Sequence, residues 1–166
     1  MLRPIKSGKI RVGEARFAIV ASQYNSRYVE AMVRAARAEL KRAEVRKVEL
    51  IRVPGAYEIP VVAARLARES AAQATGLGMP RVSAIICLGV ILRGETTHAE
   101  HIGKAVSYAL MQIQLRYEVP VVHEVLLLEN EAQARVRCLE RKHNRGAEAA
   151  LTALTMARVM QRIERS

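Results

Sequence analysis

Short apolar runs alternate with longer amphipathic segments along most of the chain. The apolar runs predict four buried strands, at residues 17–21, 45–53, 82–88 and 119–127. The amphipathic segments have apolar residues at helical spacing and predict helices at residues 26–43, 57–71, 97–117, 129–142 and 147–163. Strands that alternate with helices pair in parallel through right-handed crossovers. The pattern therefore predicts one three-layer α/β/α domain built on a four-stranded parallel sheet.

The composition agrees with this fold. The chain has five Tyr, one Phe and no Trp, so Val, Ile, Leu and Ala must form the core, as they do in buried parallel sheets. Cys87 and Cys138 lack metal-ligand spacing and are expected to be reduced thiols. We expect residues 1–14 to form an N-terminal tail, residues 15–166 to form the domain, and residues 72–81 to be a surface connection.

No apolar run reaches the roughly 18 residues that cross a bilayer, and the basic N-terminus lacks the apolar stretch of a signal peptide. These observations predict a cytoplasmic protein with no membrane partner. The net charge of +11 raises nucleic acid as a partner. The basic residues are spread along the chain without a basic block, so we interpret most of them as solvated helix faces.

Polar, aromatic and glycine-rich residues follow the predicted strands. Tyr24 and Asn25 follow the first strand, Tyr57 and Glu58 follow the second, and a long segment at 89–98 follows the third. Ligands of parallel sheets bind beyond the carboxyl ends of the strands. The sequence therefore predicts a binding site at this edge. Tyr24 is either a core aromatic or an exposed platform for a planar ring, and Glu58 either contacts a ligand or complements a helix dipole.

The turn at residues 94–97 leads directly into a predicted helix. A helix N-terminus presents free N–H groups and a positive dipole end, which suits a phosphate. Thr97 stands three residues before Glu100, the spacing of a capping box. His98 follows at once and is placed to move protons beside a bound phosphate, although an isolated histidine is often structural or merely exposed.

Several segments resemble the lumazine synthase family. VPGAYEIP at 53–60 is similar to the family's VPGAFEIP, and GVILRGETTH at 89–98 is similar to its GxVIRGxTxH. The segments VPVV at 119–122 and NRGAEAA at 144–150 follow in the family's order and spacing. The resemblance extends over residues 15–163.

The resemblance implies a transferase with a flavodoxin-like strand order that uses neither metal nor cofactor. Its expected reaction condenses 5-amino-6-(D-ribitylamino)uracil with 3,4-dihydroxy-2-butanone 4-phosphate to 6,7-dimethyl-8-ribityllumazine, the penultimate step of riboflavin biosynthesis. It also implies a homo-oligomer, either free pentamers or pentamers assembled into a larger shell. Riboflavin synthase is a candidate partner, and no nucleic-acid partner is expected.

The resemblance also implies roles for individual residues. His98 is the expected catalytic residue. The uracil and its ribityl chain are expected to bind Tyr24, Asn25, Ala56, Tyr57, Glu58, Val90, Ile91, Leu92 and His123. The phosphate is expected to bind Gly94, Glu95, Thr96, Thr97, Arg137 and Arg145.

Three of these side chains, His123, Arg137 and Arg145, are expected to complete the site of a neighbouring subunit. Two of them depart from the family pattern, because His123 stands where Phe is usual and Arg145 where Lys is usual. Two other functions remain open at this point: a catalytically weak shell that binds flavin or lumazine, and a nucleic-acid-binding protein suggested only by the charge.

Overall fold

A four-stranded parallel sheet forms the centre of the computed structural model, which describes residues 12, 15–72 and 81–164. The strand order is β2-β1-β3-β4, which matches the first four positions of the flavodoxin-like order. The predicted sheet is therefore confirmed. Its strands are β1 (Arg16–Ser22), β2 (Lys47–Val53), β3 (Val82–Leu92) and β4 (Val121–Leu128).

Helices cover both faces of this sheet. Alternate side chains of β1 point to opposite faces: Phe17 and Ile19 enter one core cluster, whereas Ala18 and Val20 enter the other. The helices are α1 (Ser26–Arg42), α2 (Ile59–Ala72), α3 (His98–Tyr117), α4 (Glu131–Ala134) and α5 (Arg145–Ile163). The first cluster lies under α1, α4 and α5, and the second lies under α2 and α3. The predicted three-layer domain is thus confirmed.

Strand β3 is longer than the sequence predicted. It was expected to end at Leu88, but it continues to Leu92. The four additional residues all pair with β4, and the last pair is Leu92 opposite Leu128. Gly89 interrupts the apolar pattern but not the strand. A Cβ at Gly89 would lie 3.1 Å from Val125 Cγ1, so the absence of a side chain lets β4 and its side chains pack closely.

The single helix predicted at residues 129–142 is wrong. The chain forms the short helix α4, then a wide helical turn at Arg135–Leu139, and becomes extended at Glu140. Asn144 provides the physical reason, because its Nδ2 donates to the carbonyl oxygen of Cys138 and its Oδ1 accepts from Gly146 N at 2.9 Å. One side chain thus fixes the end of the preceding turn and the start of α5, which begins two residues earlier than predicted.

Two predictions concern the margins of the described region. Val12, within the predicted tail, is buried, and its carbonyl oxygen accepts a hydrogen bond of 3.1 Å from Gln161 Nε2. The other residues of 1–14, and 73–80 of the predicted surface connection, lie outside the described residues. Within the described residues, none of the helices combines the length and apolarity that crossing a membrane requires.

Gly146 permits the close crossing of α5 over α1 and generates a stability prediction. A Cβ there would lie 2.1 Å from the carbonyl oxygen of Met32, which is backbone and has no room to move. We expect Gly146→Ala to lower the free energy of unfolding by about 1–3 kcal/mol, as overpacking does. Urea denaturation measures the change.

Gly103→Ala is the matched control. Gly103 also lies within a helix, but its Cβ would meet Leu127 at an ordinary contact distance of 3.6 Å. Alanine is the better helix former, so this variant should be as stable as the wild type or more stable. Equal loss of stability in both variants would contradict the close-crossing argument.

Candidate active site

The loops after β1 and β2 are joined by backbone hydrogen bonds. Gln23 N donates to the carbonyl oxygen of Val53 at 2.9 Å, and Tyr24 N donates to that of Pro54 at 3.2 Å. Tyr24 is 71% exposed, so it is not a core aromatic. Its ring lies against Gly55, where a Cβ would be 3.1 Å from Tyr24 Cδ2. Gly55 therefore makes room for the ring.

Asn25 connects the end of β1 to the C-terminal part of β3. Its backbone is left-handed, with φ of 54°, a conformation that Asn tolerates better than most residues. Its Nδ2 donates to the carbonyl oxygen of Val90 at 2.8 Å. Asn25 thus holds the strand end where Val90, Ile91 and Leu92 were expected to bind the uracil. All three of those residues lie within β3.

Glu58 ends a tight helical turn at Ala56–Glu58, immediately before α2. Its Oε2 accepts a hydrogen bond from Gly55 N at 2.9 Å, so one carboxylate oxygen stabilises the turn. The other oxygen has no hydrogen bond within the described part of the chain. Tyr57 projects outward and is 63% exposed, whereas Ala56 is buried. Glu58 therefore holds the turn through one oxygen and keeps the other available to a ligand.

His98 is the first residue of α3 and is exposed. Residues 94–97 before it are exposed as well. The predicted capping box is wrong, because the backbone of Thr97 is already helical and its side chain makes no capping bond. Glu100 pairs with Lys104 at 2.7 Å instead. At the start of α3, His98 N makes a weak bond of 3.4 Å to Thr96 Oγ1, and Glu100 N donates to the carbonyl oxygen of Thr97 at 3.1 Å. The other N–H groups of this turn have no partner within the described residues and suit an anion.

His123 lies within β4, behind the strand-end residues of its own chain. It pairs with Cys87 of β3, which stands three residues, or about 10 Å along the strand, before Val90. Its Nε2 is 2.8 Å from Ser107 Oγ of α3, and its Nδ1 accepts from Val125 N at 3.3 Å. Burial lowers the pKa of His123. The ring is therefore held at the sheet face beside α3.

Arg145 is fully engaged within its own chain. Its guanidinium forms a two-pronged pair with Glu124 of β4, with Nη2 to Oε1 at 2.7 Å and Nε to Oε2 at 2.9 Å. It also contacts the Glu148 carboxylate. Burial raises the pKa of Glu124, and the hydrogen bonds from Arg145 oppose that shift. Two carboxylates thus balance the charge of Arg145.

Arg137 differs from Arg145 in this respect. It lies exposed on the wide turn after α4 and makes no hydrogen bond or ion pair within the part of the chain that the structure describes. Burial raises the pKa of Glu124, and the charge of Arg137 opposes that shift only weakly compared with Arg145. Of the two arginines expected at the phosphate, Arg137 is the one with a guanidinium available to an external anion.

The sequence-predicted residues therefore form two groups in one subunit. The strand-end group follows β1, β2 and β3 and comprises Tyr24, Asn25, Ala56, Tyr57, Glu58, Val90, Ile91, Leu92, Gly94, Glu95, Thr96, Thr97 and His98. The β4-edge group comprises His123, Arg137 and Arg145, on or beside the outermost strand. The first group offers a flat ring, a carboxylate, a histidine and a helix N-terminus at one edge. This combination suits a planar ligand and an anion.

Comparisons with known proteins agree with this arrangement. The family model of 6,7-dimethyl-8-ribityllumazine synthase matches residues 14–161. A 6,7-dimethyl-8-ribityllumazine synthase of Stenotrophomonas maltophilia (strain R551-3) is 39% identical over 159 residues, covering 94% of this chain and 96% of that protein. One from Xanthomonas oryzae pv. oryzae (strain PXO99A) is 38% identical over 156 residues, covering 93% and 95%. Because the family model matches nearly the whole chain, this chain belongs to the 6,7-dimethyl-8-ribityllumazine synthase family.

Proposed function

We propose that the protein condenses 5-amino-6-(D-ribitylamino)uracil with 3,4-dihydroxy-2-butanone 4-phosphate to 6,7-dimethyl-8-ribityllumazine, the penultimate step of riboflavin biosynthesis. One observation carries the proposal beyond family membership. The exposed ring of Tyr24, the carboxylate of Glu58 and the start of α3 with His98 all follow strands whose ends meet at one edge. A planar uracil can stack on the ring, its polyhydroxyl chain can bind the carboxylate, and the sugar phosphate can bind the helix start.

The chemistry requires alignment and proton transfer more than a strong nucleophile. The uracil amine attacks the ketone and loses water to give an imine, phosphate is then eliminated, and ring closure releases a second water. Binding the two reactants side by side in the correct orientation supplies much of the rate enhancement of a two-substrate condensation. His98 moves the protons, since it is exposed beside the turn that receives the phosphate.

The uracil lies against Tyr24, with its polar edge toward the backbone of Val90, Ile91 and Leu92. Asn25 holds that strand end through its bond to the carbonyl oxygen of Val90. The ribityl hydroxyls reach Ala56, Tyr57 and Glu58, where one oxygen of Glu58 remains available. The rings of Tyr24 and Tyr57 are exposed, whereas Ala56 and Val90 are buried and contribute through their backbone.

The phosphate binds at the start of α3, to Gly94, Glu95, Thr96 and Thr97. N–H groups and threonine hydroxyls there donate to its oxygens. Glu95 contributes through its backbone, because its carboxylate would repel the anion. Arg137 adds the main cationic charge from the neighbouring subunit. Arg145 supplies a smaller share, because Glu124 and Glu148 already balance it.

The active protein is a homo-oligomer with shared sites. The position of His123 supports this, since its ring is held against Ser107 of α3, about 10 Å behind Val90 along the strand, and does not face the strand-end groups of its own chain. The surface of α3 supports it as well, because Tyr108, Met111 and Leu115 lie on one side of the helix and are each more than half exposed. A second copy of the chain covers this stripe.

A head-to-tail contact that closes gives a ring, and a ring of five is the simplest reading of the family resemblance. Rings that assemble into a larger shell, and riboflavin synthase as a partner, also stay predictions. So do the division into a tail at 1–14 and a domain at 15–166. The free thiols of Cys87 and Cys138 support the predicted cytoplasmic location.

The first test concerns His98. Mixing both substrates with purified protein should produce the absorbance of the lumazine. His98→Ala should lower kcat at least about tenfold, because a positioned proton donor and acceptor is lost, while the affinity for the uracil stays nearly intact. His101→Ala is the control, since His101 is exposed on the same helix three residues later. Undiminished turnover of His98→Ala, or an equal loss in both variants, would refute the assignment.

The second test concerns Arg137. Arg137→Ala should raise KM for the sugar phosphate about tenfold or more, because a charge-assisted hydrogen bond to phosphate is lost. KM for the uracil should change far less. Arg135→Ala is the control, since Arg135 is exposed on the same wide turn. Equal effects of Arg137→Ala on both KM values would identify Arg137 as a surface residue without a role in phosphate binding.

The third test concerns the shared site. His98→Ala and Arg137→Ala subunits are dissociated, mixed and reassembled, and turnover is measured at low sugar phosphate. Some interfaces then combine an intact His98 with an intact Arg137, so activity should rise above that of either variant alone. Proven mixing without recovery, or full activity of a demonstrated monomer, would overturn the shared-site proposal.

A further inference from the structure

His123 is held at both ring nitrogens. Nε2 is 2.8 Å from Ser107 Oγ, on the facing helix α3, and Nδ1 is 3.3 Å from Val125 N, on its own strand. The ring points to the α3 side of the sheet, as its strand neighbours Val121 and Val125 do. It also stands where the family pattern has Phe, a ring that needs no polar anchor. The two contacts are therefore particular to a histidine at this position.

The hydrogen-bond pattern defines the protonation state of the ring. Ser107 Oγ donates its single proton to the carbonyl oxygen of Gly103 at 2.7 Å, so it only accepts from His123. Nε2 must therefore carry a proton. Val125 N–H donates to Nδ1, so Nδ1 must be unprotonated. The two contacts independently select the same neutral tautomer, with the proton on Nε2, and burial of the ring acts in the same direction by lowering its pKa.

We propose that Ser107 is a positioning residue for the condensation, because it locks His123 as a neutral, flat ring that forms one wall of the uracil site in the adjacent subunit. This inference rests on the proposed function for the identity of that site. Both nitrogens are occupied by the protein, so His123 contributes a surface for stacking and not a second proton donor or acceptor. Proton transfer stays with His98, whose ring has no hydrogen bond within the described residues.

The ring state is tested without any substrate. The whole protein is labelled with ¹⁵N-histidine, and the His123 signals among the four histidines are identified by their loss in His123→Phe. At neutral pH, Nε2 should show the shift of a protonated nitrogen and Nδ1 that of an unprotonated one. Ser107→Ala should shift the Nε2 signal, because the protonated nitrogen loses its hydrogen-bond acceptor, and Ser107→Thr should restore it. The opposite tautomer, a charged ring, or signals unchanged in Ser107→Ala would overturn the proposal.

The positioning role is tested by a double-mutant cycle. Ser107→Ala should raise KM for the uracil about three- to tenfold with little change in kcat, the effect of one lost hydrogen bond on placement. Ser107→Thr keeps the hydroxyl and should restore KM. In the His123→Phe background, Ser107→Ala should have no effect, because the ring no longer has a nitrogen to anchor. Equal effects in both backgrounds would show that Ser107 acts only on general structure and would overturn the proposal.

The two proposals fail in different ways. If the wild-type protein forms no lumazine from the two substrates, the proposed function fails, and the histidine spectrum still decides the state of the His123 ring. If lumazine forms but the cycle shows no coupling between the two positions, the proposed function stands and the positioning role of Ser107 is refuted.

Discussion

The pairing of β3 with β1 on one side and β4 on the other determines where every other functional element lies. Ala21 of β1 pairs with Leu88 of β3, and β3 then continues four residues further alongside β4. This extension carries Val90 past the end of β1, where the Asn25 side chain reaches its carbonyl oxygen. The strands thus end at different levels, and the C-terminal residues of β3 extend past the loops that contain Tyr24 and Glu58.

Asparagine side chains fix two of the places where the chain leaves regular structure. Asn25 takes a left-handed backbone between β1 and α1 and bonds across to β3, while Asn144 joins Cys138 to the first turn of α5. A short amide side chain donates and accepts at once, so it satisfies backbone groups on both sides of a break. The first of these side chains holds the end of β3 where it extends past β1. The second ends the wide turn that presents Arg137.

Ion pairs within the chain make two arginines that look equivalent in the sequence differ in their availability to an anion. Arg137 and Arg145 both lie in basic, C-terminal segments, and each was expected to bind phosphate. They differ because of Glu124. Its buried carboxylate needs a charged partner and accepts two hydrogen bonds from the Arg145 guanidinium. Of these two arginines, Arg137 is the one that has no ion pair within the described residues and so remains available to an anion. A similar division applies to the histidines, where His98 is exposed at a helix start and His123 is engaged at both nitrogens.

Sequence alone determined the layers, the four strands and the set of segments at the strand ends, because period-two and period-3.6 apolar patterns are local properties of the chain. It also placed Tyr24, Glu58 and His98 at one edge, since parallel strands all end on the same side. It missed the continuation of β3 beyond Gly89 and the break after Leu139, which depend on packing against Val125 and on a bond from Asn144. Only the tertiary structure decided that Arg145 is neutralised, that Gly55 makes room for a ring and that Ser107 faces His123. Each of these depends on contacts between residues far apart in sequence, which no local pattern specifies.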